Sequence, residues 1–247
     1  MKAGTARKVA AKPKTAARAK PTVKAISAPN KAFSRIITDD RDIEAGTRAL
    51  RKACAHMRRA HDLTGHPPLR RRAAGFEGIA RIIVAQQVSV ASANAIWARF
   101  EAAAQPMSAT TVAAMTDDDM RGAGLSRPKV RTLRAVSHAV TAGLDLENLN
   151  ALDDAQVHEA LTAISGIGPW TADIFLLFNL GRADAFARGD LALQVAAQML
   201  MGLDERPTAD ELLLIAERWR PWRGVAARLL WAYYAVAKAQ KGGGVAV

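Results

Sequence analysis

Leu161-Thr162-Ala163-Ile164-Ser165-Gly166-Ile167-Gly168-Pro169-Trp170-Thr171-Ala172 is the stretch on which the reading of this chain turns. A helical pattern that begins at Asp153 ends at Ile164. Gly166 and Gly168 are expected to carry the backbone through conformations closed to residues with a Cβ. Pro169 then opens a new helix at the position where its missing N–H costs nothing. The result is two helices joined by a tight turn that leaves backbone N–H groups exposed together, an arrangement suited to a phosphate oxygen. Binding of that kind grips a nucleic-acid backbone without reading its sequence. Taken alone, Gly-x-Gly between helices fits a tight αα-hairpin equally well.

Outward from the hairpin the chain reads as helices. Downstream come Pro169–Leu180, a loop over Gly181–Gly189, then Asp190–Met201, Thr208–Trp219 and Trp222–Lys238. Upstream lie Asp40–Asp62, Phe76–Gln87, Ser89–Ala103, two short segments opened by Ser108 and Thr116, and the long Ser126–Ala142. Their apolar residues recur at helical spacing, as with Val130, Leu133, Val136 and Val140, and several starts carry a Ser/Thr cap. No stretch alternates long enough to argue a strand. The expected fold class is all-α.

The 247 residues are half apolar and poor in aromatics, a composition that favours helices. The net charge of +12 is not evenly spread. Residues 1–38 hold ten Lys or Arg and no acid, which leaves 25 basic and 23 acidic residues for the rest. The expectation is a disordered basic tail over 1–38 that associates with polyanions, a cleaved transit peptide or an idle extension being the alternatives. Residues 241–247 are expected to be disordered as well. A single cysteine, Cys54, excludes an internal disulfide, a multi-thiolate zinc site and a four-Cys iron–sulfur cluster. Apolar runs such as Ile79–Val84 and Ile174–Phe178 are too short to span a membrane, so a soluble protein is expected; the lone cysteine fits a reducing cytoplasm, and a monomer is expected. The five histidines are scattered and form no side-chain metal pattern.

The longer string around the hairpin resembles the helix–hairpin–helix (HhH-GPD) DNA glycosylase superfamily, whose signature runs on into a loop and an essential Asp, here Phe186-Ala187-Arg188-Gly189-Asp190-Leu191. It is most similar to the 3-methyladenine DNA glycosylase II branch, the AlkA- and Mag-like enzymes. Ile83–Ala91, Gly124–Lys129 and Glu217–Arg223 match further stretches in the right order, so the resemblance covers residues 70–238. Ala187 stands where the family usually has Pro. The β-rich N-terminal domain of some members has no counterpart.

The resemblance implies two helical lobes around a cleft, one built from residues 76–186 and the other from 39–75 with 187–240. It implies a partner, double-stranded DNA carrying a damaged base, and no required cofactor. Asp190 becomes the catalytic carboxylate, although an N-cap role suits it too. The spacing permits the assignment: Pro169–Leu180 carries the chain about 16 Å away, and the nine-residue loop, spanning up to roughly 30 Å, can bring it back. Trp170 and Trp231 fall at pocket positions, with Ile174 where a bacterial relative has Tyr. Gln87, or Gln86, falls where family members insert a side chain into the gap left by an everted base. Gly166, Gly168 and Trp170 amides, with Arg127 and Lys129, would hold phosphates. The carbonyls of Thr162, Ile164 and Ile167 would hold a monovalent cation. Bifunctional relatives have Lys where this chain has Trp170, so base removal without strand cleavage is expected. A non-catalytic hairpin module, or a glycosylase for uracil or ethenoadenine, stays open as an alternative.

Overall fold

A computed structural model describes residues 35–242, together with Met1. The expected disorder of the basic tail and of the C-terminus falls, for residues 2–34 and 243–247, outside the described residues.

Twelve α-helices run through the described chain: α1 (Asp40–Ala53), α2 (Ala55–Thr64), α3 (Gly75–Ala85), α4 (Val90–Ala103), α5 (Ala109–Ala114), α6 (Asp117–Gly122), α7 (Arg127–Thr141), α8 (Asp154–Thr162), α9 (Pro169–Ile174), α10 (Leu191–Met201), α11 (Ala209–Ala216) and α12 (Arg223–Gly242). The one extended pairing among the described residues is an isolated bridge between Ile36 and Arg182. The fold is all-α and two-lobed. One lobe packs α3 against α4, α7 and α9, with α7 on α5 and α8 on α9. In the other, α12 lies against α10, α2 and α1. Two helices explain where the core sits. α3 buries Ile79, Ala80, Ile82, Ile83 and Val84, and α12 buries Val225, Ala226, Ala227, Leu229 and Leu230. Helices apolar on most sides belong in the middle of a lobe.

Four local expectations need correction. The helix read over Asp40–Asp62 breaks at Cys54, whose extended backbone (φ −144°, ψ 118°) ends α1 and begins α2. The residue types there are all tolerable in a helix, so periodicity alone carries the pattern across the break. The segment Pro169–Leu180 is not uniformly α-helical: Phe175–Asn179 forms a π-helical turn, closed by Leu180 N–H donating to the Phe175 carbonyl. Turns of this kind recur at functional sites. The basic tail ends four residues earlier than the charge pattern suggests. Ile37 is fully buried, its N–H donates to the Gly181 carbonyl, and Arg35 lies over the Trp222 ring at 4.9 Å. At the other end, α12 continues to Gly242.

The contacts of residues 35–37 bear on the site, because they fasten the loop that leads to Asp190. Ala183 N–H donates to the Arg35 carbonyl and Gly224 N–H to the Ala183 carbonyl. Asp184 accepts from Arg223 Nε and Nη2 at 3.0 and 2.9 Å, a two-pronged pair that is mostly buried. The loop over 181–189 is held from both sides.

Candidate active site

The hairpin closes as its residue types dictate. Ile167 N–H donates to the Ile164 carbonyl, and Gly166 sits at φ +89°, a conformation that penalises side chains. A Cβ at Gly166 would lie 2.1 Å from Thr132 Oγ1, so the turn is pressed against α7. Gly168 departs from the expectation. Its backbone is ordinary (φ −96°, ψ 173°), and a Cβ there would meet nothing within 4 Å. Neither the turn nor the packing requires glycine at 168. Among the described residues, the amides of Gly166, Gly168 and Trp170 find no acceptor.

Asp190 is the N-cap of α10, with Oδ1 accepting from Leu193 N–H at 3.1 Å. The same carboxylate also accepts from two indoles: Trp231 Nε1 donates to Oδ1 at 3.1 Å, and Trp170 Nε1 donates to Oδ2 at 2.8 Å. Cap and site are thus one device. α9 delivers Trp170, α12 delivers Trp231, and the loop fastened by Arg223 and residue 35 delivers the acid. Of the two lone pairs on each oxygen, Oδ1 has both engaged and Oδ2 one. One Oδ2 lone pair has no partner among the described residues. Trp231 is stacked on Phe178, with ring centroids 5.6 Å apart, so one of its faces is covered. Ile174, one turn beyond Trp170, is buried.

The paired glutamines separate. Gln86 Nε2 donates to Thr171 Oγ1 at 2.9 Å, which ties this turn to α9 and turns its side chain inward. Gln87 is exposed and holds a left-handed backbone (φ +56°) uncommon for a residue with a side chain. Val88 and Val90 beside it, and Leu191 beside Asp190, are exposed too, Val90 at 79%. Sequence reasoning missed these three, which only the surface reveals. Arg127 is exposed at the start of α7. Lys129, expected on a phosphate, is corrected: it is buried, and its Nζ donates to the Val84 carbonyl at the end of α3, 2.8 Å away. Being two residues on from Arg127 in a helix, it must face elsewhere. Of the three carbonyls expected to face a cation, that of Ile164 already accepts from Ile167, while the Thr162 hydroxyl donates to the His158 carbonyl. No cluster of three or more His, Cys, Asp or Glu that could hold a metal occurs among the described residues. No described helix is long and apolar enough to cross a membrane.

A second acid borders the site. Asp173, three residues after Trp170, is largely buried, and its pKa is pushed up to about 7 by burial, against a smaller opposing pull from Arg188. His158 lies 3.7 Å away, beyond hydrogen-bond distance, and burial together with Arg188 pushes its own pKa down. Each is therefore biased to its neutral form. Because the folded chain holds the Asp173 proton up to about pH 7 while an unfolded one releases it near 3.8, stability falls as pH rises through that window and levels off above it. At about 1.4 kcal/mol per unit, the shift is worth about 4 kcal/mol. Asp173→Asn is expected to remove this fall, so the variant gains on wild type between pH 4.5 and 8 in urea unfolding. A difference between the two proteins that stays constant across that range would sink the assignment.

The family model described as "HhH-GPD superfamily base excision DNA repair protein" matches residues 80–221. DNA-3-methyladenine glycosylase 1 of Schizosaccharomyces pombe is 32% identical over 161 residues, which take in 63% of this chain and 71% of that protein. The S. pombe 3-methyladenine DNA glycosylase (Mag1), solved in complex with abasic DNA, superposes with a TM-score of 0.70 at 28% identity, over 76% of this chain and 95% of that one. DNA-3-methyladenine glycosidase of Bacillus halodurans gives 0.68 at 30% identity, over 83% and 95%. The chain therefore belongs to the HhH-GPD superfamily of base excision DNA repair proteins, in its AlkA/Mag-like glycosylase branch.

Proposed function

We propose that this protein is a monofunctional DNA glycosylase that removes N-alkylated purines of the 3-methyladenine class from duplex DNA. The observation that carries the reading is the Asp190 carboxylate, gripped by the indoles of Trp170 and Trp231 beside a hairpin whose Gly166, Gly168 and Trp170 amides lack acceptors among the described residues.

Breaking an N-glycosidic bond builds positive charge on the sugar. A carboxylate fixed in place before reaction stabilises that charge without reorganising, and its free lone pair can orient the attacking water. The three N–H donors supply the fixing. The open space over Gly168 admits a phosphodiester close to the Gly166, Gly168 and Trp170 amides, and Arg127, exposed as the first residue of α7, would add a charged contact. A monovalent cation on the Thr162, Ile164 and Ile167 carbonyls would add positive charge at that contact. An everted base would stack on the open face of Trp231, and a cationic alkylated base gains most from a π face. Gln87 at the turn tip would fill the vacated gap.

Trp170 occupies the position where bifunctional relatives carry Lys. An indole cannot form a Schiff base, and its N–H is already committed to Asp190. Against a purely binding role stands the carboxylate itself, which repels phosphate and serves a grip poorly. The test is to incubate methylated duplex DNA with the protein, identify released bases by chromatography, and add borohydride to a parallel sample. Methylated purines should appear, the abasic strand should stay intact, and no covalent complex should form. A trapped complex would overturn the monofunctional reading. Release only from uracil or ethenoadenine duplexes would replace the substrate class.

A further inference from the structure

Arg70-Arg71-Arg72 takes no part in the chemistry above, yet the fold places it with care. Arg72 N–H donates to the Phe178 carbonyl and Arg71 Nη1 to the Asn179 carbonyl, both at 3.0 Å, while Asn179 Nδ2 donates back to the Ala73 carbonyl. The segment is thus pinned along the π-helical turn. Between it and α3 and α4 opens a cleft of about 300 Å³, lined by Arg71, Arg72, Glu77, Arg81 and Asn94 with Trp97 at its wall.

The charges in this cleft do not balance. Arg81 is engaged by Glu77 at 3.1 Å and Glu101 at 3.6 Å, and lies over Trp97. Among the described residues no carboxylate comes within 4.0 Å of Arg70, Arg71 or Arg72. Burial pushes the pKa of Arg71 and Arg72 down, and Arg81 and Arg70 add repulsion at Arg72. Partly desolvated guanidinium groups without a counter-charge suit a phosphate, which takes two N–H bonds from one fork.

The position of the cleft says which phosphate. Arg72 lies over the Phe178 ring at 5.8 Å, Phe178 stacks on Trp231 at 5.6 Å, and Trp231 donates to Asp190. Asp190 is joined on its other side to Trp170 and so to the hairpin. Ala85, which also borders the cleft, directly precedes the Gln86–Gln87 turn. Contacts thus link the cleft to Asp190 through Phe178 and Trp231, and to the hairpin helix through Gln86, which donates to Thr171. We propose that Arg71 and Arg72 form a second phosphodiester site, which holds the DNA backbone at a point other than the hairpin. Two separate grips on the backbone restrain the strand around the nucleotide that must leave the stack. This rests on the glycosylase reading for the polymer, not for the cleft.

The test measures binding of wild type, Arg72→Gln and Arg72→Lys to a duplex with an uncleavable abasic analogue, by fluorescence anisotropy at several salt concentrations. A scan replacing one phosphate at a time by neutral methylphosphonate accompanies it. Arg72→Gln should bind roughly tenfold more weakly, with the slope of log affinity against log salt reduced by about 0.9, the value for one lost phosphate contact. Arg72→Lys should keep the slope. Wild type should show two sensitive regions in the scan, and Arg72→Gln should lose only the one remote from the hairpin. Wild-type slope and wild-type scan in a folded Arg72→Gln would overturn the proposal, as would no duplex binding by wild type. Base release from methylated DNA, measured in parallel, separates the two readings. Release with Arg72-independent binding sinks the second site alone, and Arg72-dependent binding without release sinks the enzyme alone.

Discussion

Asp190→Asn is expected to slow base release from methylated duplex DNA by on the order of 10²–10⁴-fold under single-turnover conditions, the range seen when one electrostatic or general-base group is removed. Binding to an abasic-analogue duplex should change far less, because the carboxylate makes no attraction to phosphate. The substitution is close to isosteric, but it is not silent in the ground state. Asn has one carbonyl oxygen, whereas Asp190 accepts on both oxygens, from Leu193 N–H and Trp231 on one and from Trp170 on the other. Whichever way the amide turns, its NH₂ faces at least one N–H donor. A stability loss of about 1–2 kcal/mol should therefore accompany the loss of chemistry. Melting curves and the binding assay keep the two apart. The loss should also depend on the base. A cationic N-alkyl purine already has a weakened glycosidic bond and demands less of the acid, so a neutral substrate should suffer the larger drop. If the folded Asn variant releases bases as fast as wild type, Asp190 is a helix cap and the chemistry lies elsewhere.

What could be read in the sequence follows from how the site is distributed along the chain. The hairpin turn is legible from its own glycines and proline, whereas Trp170 and Asp190 are named by the family resemblance, which the length of the loop between them permits. The all-α class follows from apolar periodicity sustained over many segments. Contacts between distant segments left no such trace. Phe178 reads as one more apolar residue, although it stacks on Trp231 and lies under both Arg72 and Arg228. Arg228 reads as a helix-surface cation, yet it is buried and donates to the carbonyls of Gly224, Leu177 and Leu69. Charge and position in a motif point Lys129 at a phosphate, but the direction of its side chain around α7 sends it to the Val84 carbonyl instead. The break at Cys54 and the π-helical turn are set by tertiary packing that overrides local propensity.

The two hairpin glycines make the sharpest contrast, and each should fail in a different way. Gly166→Ala combines a left-handed backbone at φ +89° with a Cβ 2.1 Å from Thr132 Oγ1 and 3.0 Å from Thr132 Cβ. Thr132 cannot simply withdraw, since its hydroxyl donates to the Pro128 carbonyl in the first turn of α7. Strained backbone and overpacking each cost about 1–3 kcal/mol, so a loss of about 2–5 kcal/mol and a marked fall in Tm are expected. Thr132→Ala in the same chain should recover the part due to the hydroxyl and leave the backbone strain. Gly168→Ala has neither problem: its φ is −96° and no heavy atom lies within 4 Å of the new Cβ. Its Tm should hold, or rise slightly as the unfolded chain loses freedom. Its affinity for an abasic-analogue duplex should nevertheless fall at least tenfold, because the added methyl occupies the space through which a phosphodiester would approach the hairpin amides. A folded Gly168→Ala that binds as tightly as wild type would show that the strand passes elsewhere, and the hairpin would then be packing architecture rather than a grip.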